Sequence, residues 1–143
     1  MFASGSAVVQ PYMRELLREI GAVLAEVPNR LTLEGHTDAA PFAGGTIGYG
    51  NWELSADRAN ASRRELMQGG LPEDRMLRVQ GLAASLPFEA KDPLAASNRR
   101  ISIIVMNREA EDRIFRTGAE AQEADAHVVA EPSGTGWLPG LPR

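Results

Sequence analysis

Three groups of polar residues stand where side chains can do chemistry. Asp38 closes the segment Gly35-His36-Thr37-Asp38, directly after a strand-like stretch. Arg58 lies a turn or so into a helix-like stretch that follows a glycine-rich loop. Asn98-Arg99-Arg100 immediately precedes the strongest strand signal in the chain. In a strand–loop–helix unit, the strand's end and the next helix's start meet at one sheet edge, where ligands collect. An aspartate and an arginine brought together there supply an anion and a rigid planar cation. The pair suits a zwitterion bearing both an ammonium and a carboxylate. Free backbone N–H groups at the helix start add donors for that carboxylate. The same two side chains could equally pair with each other as a structural salt bridge, and spacing does not choose. Asn98-Arg99-Arg100, by itself, reads first as the solvated lead-in to a strand.

Catalytic chemistry finds little support. The chain has two histidines, His36 and His127, and no cysteine. That excludes thiolate catalysis, disulfides and zinc–cysteine sites. No His/Asp/Glu set has metal spacing, and no Gly-x-Ser-x-Gly motif occurs. His36 beside Asp38 reads as a packed, hydrogen-bonded residue rather than a base. Gly44-Gly45 and Gly48 lack the Lys-Ser/Thr ending of a phosphate loop. Tyr49 and Trp52 are candidate ligand-facing aromatics, though a tryptophan at a helix start is more often a packing anchor. A non-enzyme without a cofactor is expected.

The elements that would position these residues follow from periodicity. Pro11 to Val27 is an amphipathic helix, with Met13, Leu16, Leu17, Ile20, Val23, Leu24 and Val27 on one stripe. Pro11 suits its first turn and Pro28 ends it. Leu31 to Gly35 alternates as a half-buried strand. After a loop from Ala39 to Gly50, Trp52 to Gln68 forms a second helix with a narrow Ala56, Ala59, Leu66 stripe. Asn51 and Ser55 are both candidate N-caps, and Gly69-Gly70 stops the helix. Met76 to Gly81 is a second strand, with Leu77 and Val79 on one face. Ala83 to Ser97 is a loop with a short turn. Ile101 to Met106 is a nearly continuous apolar strand, which suggests a central position. Helix, strand, helix, strand, loop, strand implies an α+β two-layer sandwich, with helices on one face of a small mixed sheet. Residues 1–116 form the domain. Residues 117–143 form a tail, partly helical and then disordered from Glu131 onward.

The bulk numbers add limits. The chain has 143 residues and a net charge of −4, which gives no reason to expect nucleic acid. No apolar run approaches the ~20 residues that span a bilayer, and no signal peptide opens the chain. The sequence therefore fits either a cytosolic protein or a portion of a longer one.

Gly35-His36-Thr37-Asp38, Asn51-x-x-Leu54-Ser55-x-x-Arg58-Ala59 and Asn98-Arg99-Arg100, in that order, resemble the signature of OmpA-like peptidoglycan-binding domains. Within that family, Val9 to Arg14, Gly48 to Leu66, Asn98 to Ile103 and the long loop before Gly50 are similar to the MotB-type flagellar stator branch. The resemblance implies an OmpA-like fold that holds diaminopimelate of the peptidoglycan stem. Asp38 would take the ammonium and Arg58 the carboxylate. Thr37, Asn51 and Leu54 would shape the pocket, and Arg99 would flank it. It further implies a homodimer, a MotA-type partner, contact with the flagellar P-ring region, and a periplasmic domain of an inner-membrane protein that anchors the stator. Another OmpA-like tether, an outer-membrane protein or a lipoprotein, is the alternative. Ala39 departs from the pattern, standing where an acidic residue is expected. The membrane helix, its proton-carrying aspartate and the plug segment are absent. So is most of the family's first strand, of which only Met1 to Ala3 could remain.

Overall fold

Among the described residues, three helices and three strands form in the order set by the sequence pattern. The computed structural model describes residues 1–43 and 47–130, with side chains through residue 121. Helix α1 spans Pro11–Leu24, strand β1 Leu31–Gly35, helix α2 Asn51–Gln68, strand β2 Met76–Gly81, strand β3 Ile101–Val105 and helix α3 Arg108–Ala130. Short 3-10 turns at Glu73–Arg75 and Ala96–Asn98 lead into β2 and β3. The chain divides into two compact units, Met1–Asn107 and Arg108–Arg143. The boundary expected near Arg116 thus falls inside α3, because the Ala/Glu-rich helix-forming stretch already starts at Arg108. The disorder expected from Glu131 onward lies outside the described residues.

The sheet order is β2-β1-β3, with β2 parallel and β3 antiparallel to β1. The central strand is therefore β1, and β3 lies at an edge of the described sheet. The apolar run of β3 misleads about its place. Ile101 and Ile103 pack against the core, whereas Ile104 and Val105 are exposed. A register shift between Leu31 and Thr32 leaves Leu77 as an extra residue in β2. The bulge breaks the alternation, so Met76 and Val79, not Leu77 and Val79, reach the core.

The core lies between the sheet and the layer of α1 and α2. Leu17, Leu31, Leu33, Leu66 and Ala59 are almost wholly buried in it. Each such leucine stabilises the fold by about 1.5–3 kcal/mol. The apolar stripe of α1 is wider than its buried face. Leu17 and Gly21 are buried and Met13, Ile20 and Leu24 partly so, but Leu16 and Val23 are exposed. The buried face of α2 is partly polar, carrying Ser55, Arg58 and Ser62 among its apolar residues. Gly35 is required by this contact. A Cβ there would lie 1.8 Å from the Ser55 carbonyl oxygen.

Candidate ligand-binding site

The close approach at Gly35 fixes where β1 ends relative to the start of α2. Beyond Gly35 the chain is pinned from three sides. The His36 N–H donates to Arg100 O, the Thr37 N–H to Ala83 O, and the Ala39 N–H to Pro93 O, each at 2.9 Å. Neither Asn51 nor Ser55 caps α2, because Gly50 takes the N-cap position. The Glu53 carboxylate reaches back to the Gly50 N–H at 2.9 Å instead. That frees Asn51 to donate to Ala40 O at 2.9 Å, which ties the loop to the helix. Ser55 donates to Trp52 O and accepts from the Ala83 N–H.

A cleft of about 300 Å³ opens here. It is lined by Thr37, Asp38, Asn51, Leu54 and Arg58, together with Ser4, Gly5 and Ala40 to Ala43. Five of the six residues expected to form a site therefore line one cavity. Arg99 does not line it but reaches Asp38, Nη1 to Oδ2 at 3.0 Å, while its Nε donates to Phe2 O at 2.9 Å. The other Asp38 oxygen accepts from the Ala40 N–H at 3.1 Å. A carboxylate has roughly four acceptor positions, so Asp38 keeps capacity for a further donor.

Arg58 is 0% exposed, an unusual state for a guanidinium. Its Nε donates to Ser6 O at 2.8 Å, Nη1 to His36 O at 3.0 Å, and Nη2 to Ala3 O at 3.1 Å. The Phe2 ring centroid lies 5.1 Å from its Cζ. Three donor nitrogens are thus each engaged once, and about two of the five N–H groups remain. Burial lowers its pKa to about 10 while Asp38 opposes the shift, so it stays charged at neutral pH. Of the two readings that spacing left open, the direct Asp38–Arg58 ion pair does not form. Asp38 pairs with Arg99, and Arg58 with backbone oxygens.

The remaining motif residues divide by role. Asn98 is 1% exposed and organises the preceding loop. It accepts from the Glu89 N–H at 2.8 Å and donates to Asp92 O at 3.0 Å and Pro93 O at 3.3 Å. Since Pro93 O holds Ala39, Asn98 supports the backbone beside Asp38. Arg100 braces the loop, donating to Leu86 O and Ser102 Oγ over the Phe88 ring. His36 is buried, with Nε2 3.2 Å from Ser102 Oγ. Burial first, and then Arg100, lower its pKa, with Glu34 opposing. Tyr49 stacks at a tilt on cleft residue Phe42, with centroids 5.0 Å apart, and donates to Asp57. Trp52 is 60% exposed and neither lines the cleft nor anchors the packing. The lining residues Ser4, Gly5 and Phe42 have no signal in the sequence, since neither segment is periodic. Among the described residues, no group of three His, Asp or Glu could hold a metal ion.

The geometry can hold a small polar ligand between an anion and a cation. The sequence model of the OmpA family matches residues 1–101. The chain is 53% identical to Motility protein B of Escherichia coli K12 over 132 residues, 92% of this chain and 43% of that protein. The chain thus spans less than half the length of that relative. The peptidoglycan-associated lipoprotein of Burkholderia pseudomallei superposes with a TM-score of 0.58 at 28% identity, covering 73% of this chain and 86% of that one. The periplasmic domain of Helicobacter pylori MotB shares the fold, with a TM-score of 0.66 at 17% identity over 85% of this chain and 80% of that one.

Proposed function

The chain belongs to the OmpA family, and from that premise we propose that it binds peptidoglycan without catalysis and anchors a flagellar stator to the cell wall. The observation that carries the reading is the cleft in which the Asp38 carboxylate and the Arg58 guanidinium face one cavity without neutralising each other. Likeness to Motility protein B and to a peptidoglycan-associated lipoprotein supports the wall as ligand and motility as setting.

The ligand is the diaminopimelate of the stem peptide, a zwitterion at its free end. Its ammonium goes to Asp38 and its carboxylate to the remaining N–H groups of Arg58. Thr37, Asn51 and Leu54 shape the pocket, and Arg99 holds Asp38 in place. Each charge-assisted hydrogen bond contributes about 1.5–3 kcal/mol, and association costs offset most of that. One cleft then binds at roughly micromolar to millimolar strength. A homodimer on a repetitive polymer gains avidity. In this reading the domain works in the periplasm, in a protein whose membrane segment meets a MotA-type ring, near the flagellar P-ring. Likeness to the lipoprotein also favours a second reading, another OmpA-like wall tether.

Co-sedimentation with purified sacculi tests it. The parent chain pellets, free meso-diaminopimelate competes, and Asp38→Asn stays in the supernatant. Pelleting of Asp38→Asn at parental levels would remove the cleft from the account.

A further inference from the structure

Asp38 and Arg58 answer the two charges of a zwitterion, but they leave the apolar lining of the cleft without a task. Leu54, 3% exposed, and the half-buried Phe42 bring hydrocarbon to the same cavity. Ligand pockets combine a few placed polar groups, which fix orientation, with apolar surface that takes the rest of the molecule. Phe42 is the one aromatic ring among the lining residues.

The ring of Phe42 is held from two directions. Its Cε2 lies 3.8 Å from where a Cβ on Gly5 would stand, and both residues line the cleft. The N-terminal segment and the loop after Asp38 therefore meet at this ring. The Tyr49 ring packs on it as well, with centroids 5.0 Å apart and planes tilted by 57°. The Tyr49 hydroxyl in turn donates to the Asp57 carboxylate of α2, the helix that carries Leu54 and Arg58. Phe42 belongs to an irregular segment outside the buried core, where a side chain ordinarily keeps its rotamer freedom. A ring braced in advance has less of that freedom to lose when a ligand arrives.

We propose that Phe42 is a specificity-determining residue of the cleft, whose ring takes the alkyl spacer of a ligand while Asp38 and Arg58 take its ammonium and carboxylate. The ligand class is thereby narrowed to a zwitterionic head carried on a short run of methylenes, as in a diamino diacid. This deepens the cleft reading above and rests on it. Tyr49 and Asp57 are positioning residues, since they act on the ring and not on the ligand. A methylene moved wholly out of water strengthens binding about fourfold. One lying between Phe42 and Leu54, with part of its surface still wet, contributes roughly two- to threefold.

Nuclear magnetic resonance titration of the full chain tests this, with glycine, racemic 2-aminobutyrate, racemic norleucine and meso-diaminopimelate. The first three share the zwitterionic head and differ only in the length of the alkyl chain. For the parent, affinity should rise roughly two- to threefold per added carbon. Phe42→Ala should flatten that gradient while glycine binds as before, a split that a merely structural residue would not give. Tyr49→Phe keeps the ring and releases Asp57, and its gradient should lie between the two. A flat series in the parent, with meso-diaminopimelate bound, overturns the role of Phe42 and leaves the cleft reading standing. A parental gradient in Phe42→Ala overturns it equally, as does a loss of glycine binding as large as that of norleucine. A parental gradient in Tyr49→Phe overturns the bracing by Asp57. Failure of the parent to bind meso-diaminopimelate overturns the cleft reading and the role of Phe42 with it.

Discussion

Replacing Arg58 with alanine tests whether this guanidinium is a strut as well as a ligand contact. In the folded chain it satisfies the carbonyls of Ala3, Ser6 and His36 and lies over the Phe2 ring. A hydrogen bond to a charged group contributes about 1.5–3 kcal/mol, so three in full would total roughly 4.5–9 kcal/mol. The Ala3 and Ser6 bonds are only part-buried, and water can replace them once the side chain is gone. The His36 bond is buried and has no such substitute. Discounting the two part-buried bonds leaves a loss on the order of 3–5 kcal/mol. Typical domains have 5–15 kcal/mol in total, so the variant should be folded but fragile. For a unit of this size, Tm should fall by roughly 15–25 °C. Urea unfolding followed by far-ultraviolet circular dichroism measures the loss directly. Arg58→Lys keeps the charge but not the fork and should fall between alanine and parent. An Arg58→Ala midpoint within about 1 kcal/mol of the parent would refute the strut. Loss of wall binding by Arg58→Ala therefore cannot by itself identify a ligand contact, and Asp38→Asn, which also gives up the ion pair with Arg99, is read beside its own unfolding midpoint.

Two further predictions concern the frame of the site. Gly35→Ala puts a Cβ 1.8 Å from a backbone oxygen of α2, so helix and sheet must separate. The variant should lose at least about 3 kcal/mol in denaturant unfolding and bind sacculi weakly, and a near-parental midpoint would show that the contact relaxes. His36 has a folded pKa below its ordinary 6.5, because burial and Arg100 disfavour the charged form. The unfolded chain then binds more protons in that range, so stability is full above about pH 6.5 and falls as pH drops through the folded pKa. His36→Gln should flatten the acid limb of a Tm–pH profile, and an unchanged limb would assign the slope to other groups.

Much of this arrangement was legible in the sequence. Strands β1 and β2 have the ends that alternation and turn residues gave them, and α2 begins one residue before its expected start. These boundaries rest on local physics: proline, glycine and periodicity act within a few residues. Element ends pointed to Asp38 and Arg58, and the family resemblance implied Thr37, Asn51 and Leu54 beside them; all five line one cleft. Features that depend on distant partners were not legible. The edge position of β3 is set by which strand pairs with β1, not by its own composition. The bulge that turns Leu77 away from the core depends on the register against Leu31. Arg58 reads in sequence as an open cation, but two of its three carbonyl acceptors lie 52 and 55 residues away in an aperiodic segment.

The grip of Arg58 and Arg99 on Phe2, Ala3 and Ser6 also sets a mechanical load path. Tension applied to the N-terminal segment meets two arginine brackets before it reaches α1. Arg99 passes that load to the Asp38 carboxylate, and Arg58 passes it to the His36 carbonyl at the end of β1. The pull is delivered to α2, which carries Arg58, to the end of the central strand and to the walls of the cleft before it reaches α1. In the role proposed above, such a path strains first the place that would hold the ligand.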